Sequence, residues 1–142
     1  MLIQATKEKI KLNIKFVYDV IPSPDENKIL VLQGNGTKNT LILCDIDGSN
    51  QKIIAEGIEI GGVSWPPDQR MIAYNLKGTV NNIMVNGLNI YDMLTGESTQ
   101  IAVDIQNPVT CWSPSGEKLV YRQWNGEKYN SSILCLNFSL QK

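Results

Sequence analysis

Apolar residues in this chain fall in short runs bounded by clusters of Pro, Gly, Asn and Asp, and no long window sustains the 3.6-residue spacing of an amphipathic helix. Within the runs the period is close to two, which predicts strands. In the first third they cover Tyr18 to Ile21, Ile29 to Gln33, Thr40 to Ile46 and Lys52 to Ala55. In the middle they cover Gly62 to Trp65, Met71 to Leu76, Leu88 to Met93 and Thr99 to Val103. In the last third they cover Val109 to Trp112, Lys118 to Gln123 and Ser132 to Leu136.

The runs repeat as a group. Pro22-Ser23-Pro24-Asp25 stands before Lys28-Ile29-Leu30-Val31, Trp65-Pro66-Pro67-Asp68 before Met71-Ile72-Ala73-Tyr74, and Trp112-Ser113-Pro114-Ser115-Gly116 before Lys118-Leu119-Val120-Tyr121. Pro24 and Pro67 are 43 residues apart and Pro67 and Pro114 are 47 apart, a period in the range of the four-stranded blades of a β-propeller. Pro followed by Asp or Ser presets a tight reversal. Asp47-Gly48 and Thr95-Gly96 fall at matching places between the third and fourth strands. The second-to-third connections, Gly34 to Asn39, Lys77 to Gly87 and Asn125 to Ser131, are rich in Gly, Asn and Lys and read as exposed loops.

The third copy lacks its fourth strand. Residues 8–14, Glu8-Lys9-Ile10-Lys11-Leu12-Asn13-Ile14, stand one strand ahead of the first copy and alternate as an edge strand does. The boundaries expected are an N-terminal strand over about 8–14 and blades over about 16–56, 58–104 and 105–138. Offset by one strand, the N-terminal segment would complete a last blade and remove an exposed edge.

The run Trp112-Ser113-Pro114-Ser115-Gly116-Glu117-Lys118-Leu119-Val120-Tyr121, together with Asn89-Ile90-Tyr91-Asp92-Met93-Leu94-Thr95-Gly96-Glu97, resembles the repeat of TolB-like propellers, a WD-repeat-like family, over almost the whole chain. The first copy departs from that pattern with Pro22 in place of Trp. The resemblance implies an all-β fold, a ring that is typically six-bladed, and a noncatalytic scaffold for protein or peptide binding. Three blades closing on themselves would need about 120° between neighbours, whereas propellers have about 4–8 blades. The expectation is therefore half of a six-bladed β-propeller completed by dimerisation, with residues 9 to 14 of each copy supplying the outer strand of its partner's third blade.

Composition removes several functions. The 142 residues, with 42% hydrophobic and 19% charged, suit one globular domain. The net charge of −1 and the scatter of 13 basic residues leave no stripe for phosphates, so nucleic acid is not expected as a partner. Residues 1 to 7 carry no basic segment ahead of a long apolar core, so the reading expects no secretory signal, no membrane span and a cytoplasmic location; a processed, exported fragment would instead be periplasmic. Cys44, Cys111 and Cys135 lie in apolar strand-like runs without metal-ligand spacing and read as buried reduced thiols.

The chain has no histidine, which excludes Ser-His-Asp and Cys-His devices and His-ligated metals within it. Asp45-Ile46-Asp47-Gly48-Ser49-Asn50 lacks the third carboxylate and terminal Glu of a calcium loop and reads as a hairpin turn. Gly34-Asn35-Gly36 opens no helix and is no phosphate loop. No cofactor is expected. Trp65 and Trp112 share one repeat position and read as packing between blades. Trp124 and Tyr129 flank a polar turn beside Arg122, the composition of an interaction hot spot. Together with Lys38, Lys77 and Asn81 they form the candidate partner-binding set on the face of the second-to-third-strand loops. The alternatives are a propeller-mouth hydrolase or lyase using Asp19 and Glu59, or a structural or gating piece of a larger propeller protein.

Overall fold

The computed structural model describes residues 3–7, 9–10, 12–80, 82–103, 110–124 and 131–138, with only the backbone at residues 80, 85, 123, 124 and 131. The described residues are all-β. They form three antiparallel sheets, each a meander of consecutive strands. The first contains β1 (Val17–Pro22), β2 (Lys28–Gly34), β3 (Asn39–Asp45) and β4 (Lys52–Gly57). The second contains β5 (Glu59–Ser64), β6 (Met71–Val80), β7 (Ile83–Asp92) and β8 (Glu97–Val103). The third contains β9 (Thr110–Trp112), β10 (Lys118–Trp124) and β11 (Ser131–Asn137). Among the described residues the third sheet has three strands, and β11 is its outer edge.

The same register recurs in each sheet. Pro22 pairs with Ile29 and Ile21 with Leu30 in the first sheet, as Trp112 pairs with Leu119 and Cys111 with Val120 in the third. In the second, Ser64 pairs with Ala73. Each Pro turn closes with a hydrogen bond from its fourth residue to its first: Glu26 to Ser23, Gln69 to Pro66 and Gly116 to Ser113. A basic side chain bonded to an Asp or Asn brackets the second and third strands of every sheet. Lys28 Nζ meets Asp45 Oδ1 at 2.7 Å, Arg70 Nε meets Asp92 Oδ1 at 3.2 Å, and Lys118 Nζ donates to Asn137 Oδ1 at 2.6 Å.

Side chains alternate across each strand, so the two faces of a sheet bury different sets. Leu30, Leu32, Leu41 and Leu43 of the first sheet pack with Ile60, Trp65, Ile72, Tyr74 and Tyr91 of the second. The opposite face of the second sheet packs Ala73, Leu88 and Ile90 against Trp112, Leu119 and Tyr121 of the third. These two clusters are each buried between two sheets, and the core is a stack of interfaces rather than one centre. Tyr18 Oη donates to the Ile60 carbonyl at 3.0 Å and Thr110 Oγ1 to the Gly62 carbonyl at 2.6 Å, adding polar ties at both joints.

Within a single copy the described residues among 9–14 form no strand. Instead Leu12 and Ile14 pack on the outer face of the first sheet over Ile29, Val31, Ile42 and Cys44, because four adjacent apolar side chains there have no neighbouring sheet to cover them. Two expectations need correction. The connection from Lys77 to Gly87 is not a loop: β6 and β7 continue as a paired hairpin to Val80 and Ile83, since alternating backbone pairing extends past the buried part of the sheet. Finally, only Cys44 is buried. Cys111 and Cys135 are exposed, both opposite Val120 on the outer face of the third sheet.

Candidate functional site

The β2–β3 connection is shaped by one side chain. Asn35 Oδ1 accepts from Thr37 N at 3.1 Å, Thr37 Oγ1 at 3.0 Å and Lys38 N at 2.9 Å, while Gly36 takes a φ of 92° that an L side chain rarely adopts. This holds Lys38 at the start of β3, where its Nζ pairs with Glu56 Oε2 at 2.9 Å; both side chains are about half exposed. The next residue, Asn39, donates from Nδ2 to the Ile58 carbonyl at 3.1 Å, and Ile58 N donates to the Lys77 carbonyl at 2.8 Å. The link from the first sheet to the second therefore bridges Asn39 and Lys77, and Lys38 and Lys77 stand at the same end of adjacent blades. Gly57 permits that approach: a Cβ there would lie 2.7 Å from the Lys77 carbonyl oxygen.

Of the other candidate residues, only Arg122 has a described side chain. Arg122 is on β10 and lines a cavity of about 200 Å³ on the outer face of the third sheet with Cys111, Val120, Tyr121 and Ile133. Asn81 and Tyr129 lie outside the described residues, and Trp124 is described only through its backbone pairing with Ser131. Exposed apolar side chains also gather near the second blade's end of this face, with Ile83 and Met84 on the extended hairpin and Ile58 on the connection.

A groove of about 570 Å³, which the sequence did not indicate, separates the N-terminal segment from the first sheet; Ile14, Phe16, Gln33, Lys38 and Ile42 line parts of it. Gln51 Nε2 donates to the Leu12 carbonyl at 2.7 Å and Gln33 Nε2 to the Lys15 carbonyl at 2.8 Å, fixing the segment across the groove. The signal that was available is the apolar pair Leu12 and Ile14, whose two-residue spacing suits packing on a sheet as well as it suits a strand.

Neither acidic candidate shows a catalytic arrangement of its own. Asp19 Oδ1 accepts from the amide of Val20 at 2.9 Å, a local turn-like bond, and Glu59 is exposed at the start of β5, paired in register with Lys77. The carboxylates with depressed pKa values are elsewhere. Asp45 is held below the usual range by the Lys28 ammonium and Asn50 amide, and Asp92 by the Arg70 guanidinium. Burial pushes the Cys44 thiol up. Among the described residues no three Cys, Asp or Glu are grouped to hold a metal ion, and no helix is long and apolar enough to cross a membrane.

No protein-family model matches the sequence, and neither does any curated protein. Solved structures do. TolB from Acinetobacter baumannii superposes with a TM-score of 0.66 at 16% identity, over 86% of this chain and 30% of that one. The β-propeller domain of the Trilobed protease from Pyrococcus furiosus, described as having an open velcro topology, gives 0.64 at 17% identity, over 91% and 42%. The putative TolB from Agrobacterium tumefaciens gives 0.64 at 15% identity, over 89% and 46%. The chain spans less than half of each of these structures. At such identities the likeness concerns the fold alone, and it agrees with the repeated register, the paired Trp residues and the stacked sheets. The chain accordingly has a TolB-like β-propeller fold, of which its three sheets are blades.

Proposed function

We propose that the chain is a noncatalytic propeller scaffold that recognises a protein or peptide segment on the face carrying Lys38 and Lys77, and that two copies complete a six-bladed ring. The observation that carries the reading is the third blade, which among the described residues has three strands. Its outer face exposes Val120, Cys111, Ile133 and Cys135, whereas the matching positions of the first blade, Leu30, Ile21, Leu41 and Leu43, pack against the next blade. Among the described residues the β11 edge is unpaired, a ready acceptor for one more strand, and residues 9 to 14 of a second copy have the alternating pattern to supply it.

Recognition on the loop face is supported by its chemistry. Two lysines sit beside exposed Ile58, Ile83 and Met84, an amphipathic mixture that suits an extended segment with apolar and acidic side chains. Selection of binding peptides from a random library on the wild-type chain tests this. Peptides so selected are expected to bind a Lys38→Glu/Lys77→Glu variant at least about tenfold more weakly, the loss of charge-assisted contacts at two positions. Peptides that bind both proteins equally place recognition elsewhere.

A further inference from the structure

The two joints within the chain are fastened by one repeated hydrogen bond. Trp65 Nε1 donates to the Ile21 carbonyl at 3.2 Å, and Trp112 Nε1 donates to the Ser64 carbonyl at 3.2 Å. In each case the indole sits at the end of a blade's innermost strand and reaches back to the residue one before the equivalent position of the preceding blade. The register makes the equivalence structural: Pro22, paired with Ile29, stands where Trp112, paired with Leu119, stands. The acceptors therefore form the series Ile21, Ser64, Cys111, and the donors the series Pro22, Trp65, Trp112. Both described indoles are engaged inside the chain. Among the described residues no indole reaches the Cys111 carbonyl at one end, and the residue in the donor's place at the other end is a proline, which has neither an indole nor a backbone N–H.

We infer that the joint between the third blade of one copy and the first blade of the next is a seam built without the indole latch, at which the ring opens reversibly while its internal joints hold. The inference rests on completion of the ring by a second copy, and the outer face of the third blade, lined by Cys111, Val120, Ile133 and Cys135, is the surface that copy covers. Continuity with the internal joints is the reason for this assignment, since the corresponding face of each other blade is buried by its successor. A second feature loosens the same joint. The first blade's outer face is already occupied by Leu12 and Ile14, so a docking copy must displace them before its own packing is gained.

Sedimentation across a concentration series, on wild type, Pro22→Phe and Pro22→Trp, tests the seam. Pro22 is exposed at the end of β1, so either ring is accommodated in the free chain, and far-ultraviolet circular dichroism checks that the sheets persist. Phe supplies a ring without a donor; Trp adds the N–H. A neutral hydrogen bond contributes about fivefold to an equilibrium, and a two-fold ring has two seams, so Pro22→Trp is expected to dimerise about 25-fold more tightly than Pro22→Phe. Modification of Cys111 and Cys135 by a thiol reagent gives a second readout, with protection rising through the same concentration range. Dimers of equal strength in the Phe and Trp variants would overturn the latch while leaving the dimer. A single-copy mass in all three proteins, with both thiols open at every concentration, would overturn the second copy as occupant and the seam with it.

Discussion

The backbone amide of Asp25 donates to Oε1 of Gln69 at 2.9 Å, joining two residues 44 positions apart. Both belong to Pro turns, one joining β1 to β2 and one joining β5 to β6, so the turns of adjacent blades are hydrogen-bonded to each other at the end opposite the lysines. The joint between blades is therefore tied at its turn end as well as by the Trp65 indole and the Tyr18 hydroxyl.

Stability should respond to acid through this turn. The Asn27 amide, at 2.9 Å, and the Ser23 hydroxyl, at 2.8 Å, hold the Asp25 carboxyl down to about 2. A free Asp titrates near ~3.9, so the stabilisation is complete above about pH 4 and is lost as pH falls through about 2. Asp25→Ala is expected to unfold at lower urea than wild type at pH 7, with the gap between the two midpoints closing toward pH 2. A gap independent of pH would show that the carboxylate's charge is not what the turn uses.

The residue that ends each Pro turn is left-handed, with φ of 64° at Glu26, 61° at Gln69 and 76° at Gly116. Only the third copy uses glycine there. An L side chain in this region costs about 1–2 kcal/mol, partly offset by the larger chain entropy that glycine loses on folding. Glu26→Gly, at an exposed position, is expected to stabilise by up to about 1 kcal/mol and to raise Tm by about 2–5 °C in a calorimetric scan. An unchanged or lowered Tm would refute this account of the turn.

Gly57 has the opposite requirement. Its Cα hydrogen faces the second blade, and an added Cβ would meet the backbone oxygen of Lys77 at 2.7 Å, an atom that cannot swing aside as a flexible side chain can. Gly57→Ala is expected to cost about 1–3 kcal/mol by forcing the two blades apart. The measurement is the urea midpoint, and peptide binding on the Lys38 and Lys77 face should weaken with it. A variant as stable as wild type would mean that the approach of the blades is not tight.

Much of the architecture is local and so was legible before any coordinates. The Pro turns, the period of 43 and 47 residues and the alternation within each run specify four-stranded meanders, because turn chemistry and the two-residue strand period act between near neighbours in the chain. The shared position of Trp65 and Trp112 pointed to packing between blades, and both indoles lie there. The absence of histidine likewise needed only the sequence to exclude His-dependent chemistry. Tertiary structure alone decided which apolar segment covers which sheet face. Leu12 and Ile14 alternate as a strand would, yet they pack on the first blade's outer face. Cys111 and Cys135 have the neighbours of core residues, yet they are exposed where the stack of sheets stops. The surroundings of Arg122, a cavity beside Cys111 and Ile133, and of Lys38, an ion pair with Glu56, likewise come only from the fold. In each case the sequence states what a residue would bury against if a surface were offered, and only the three-dimensional arrangement states whether one is.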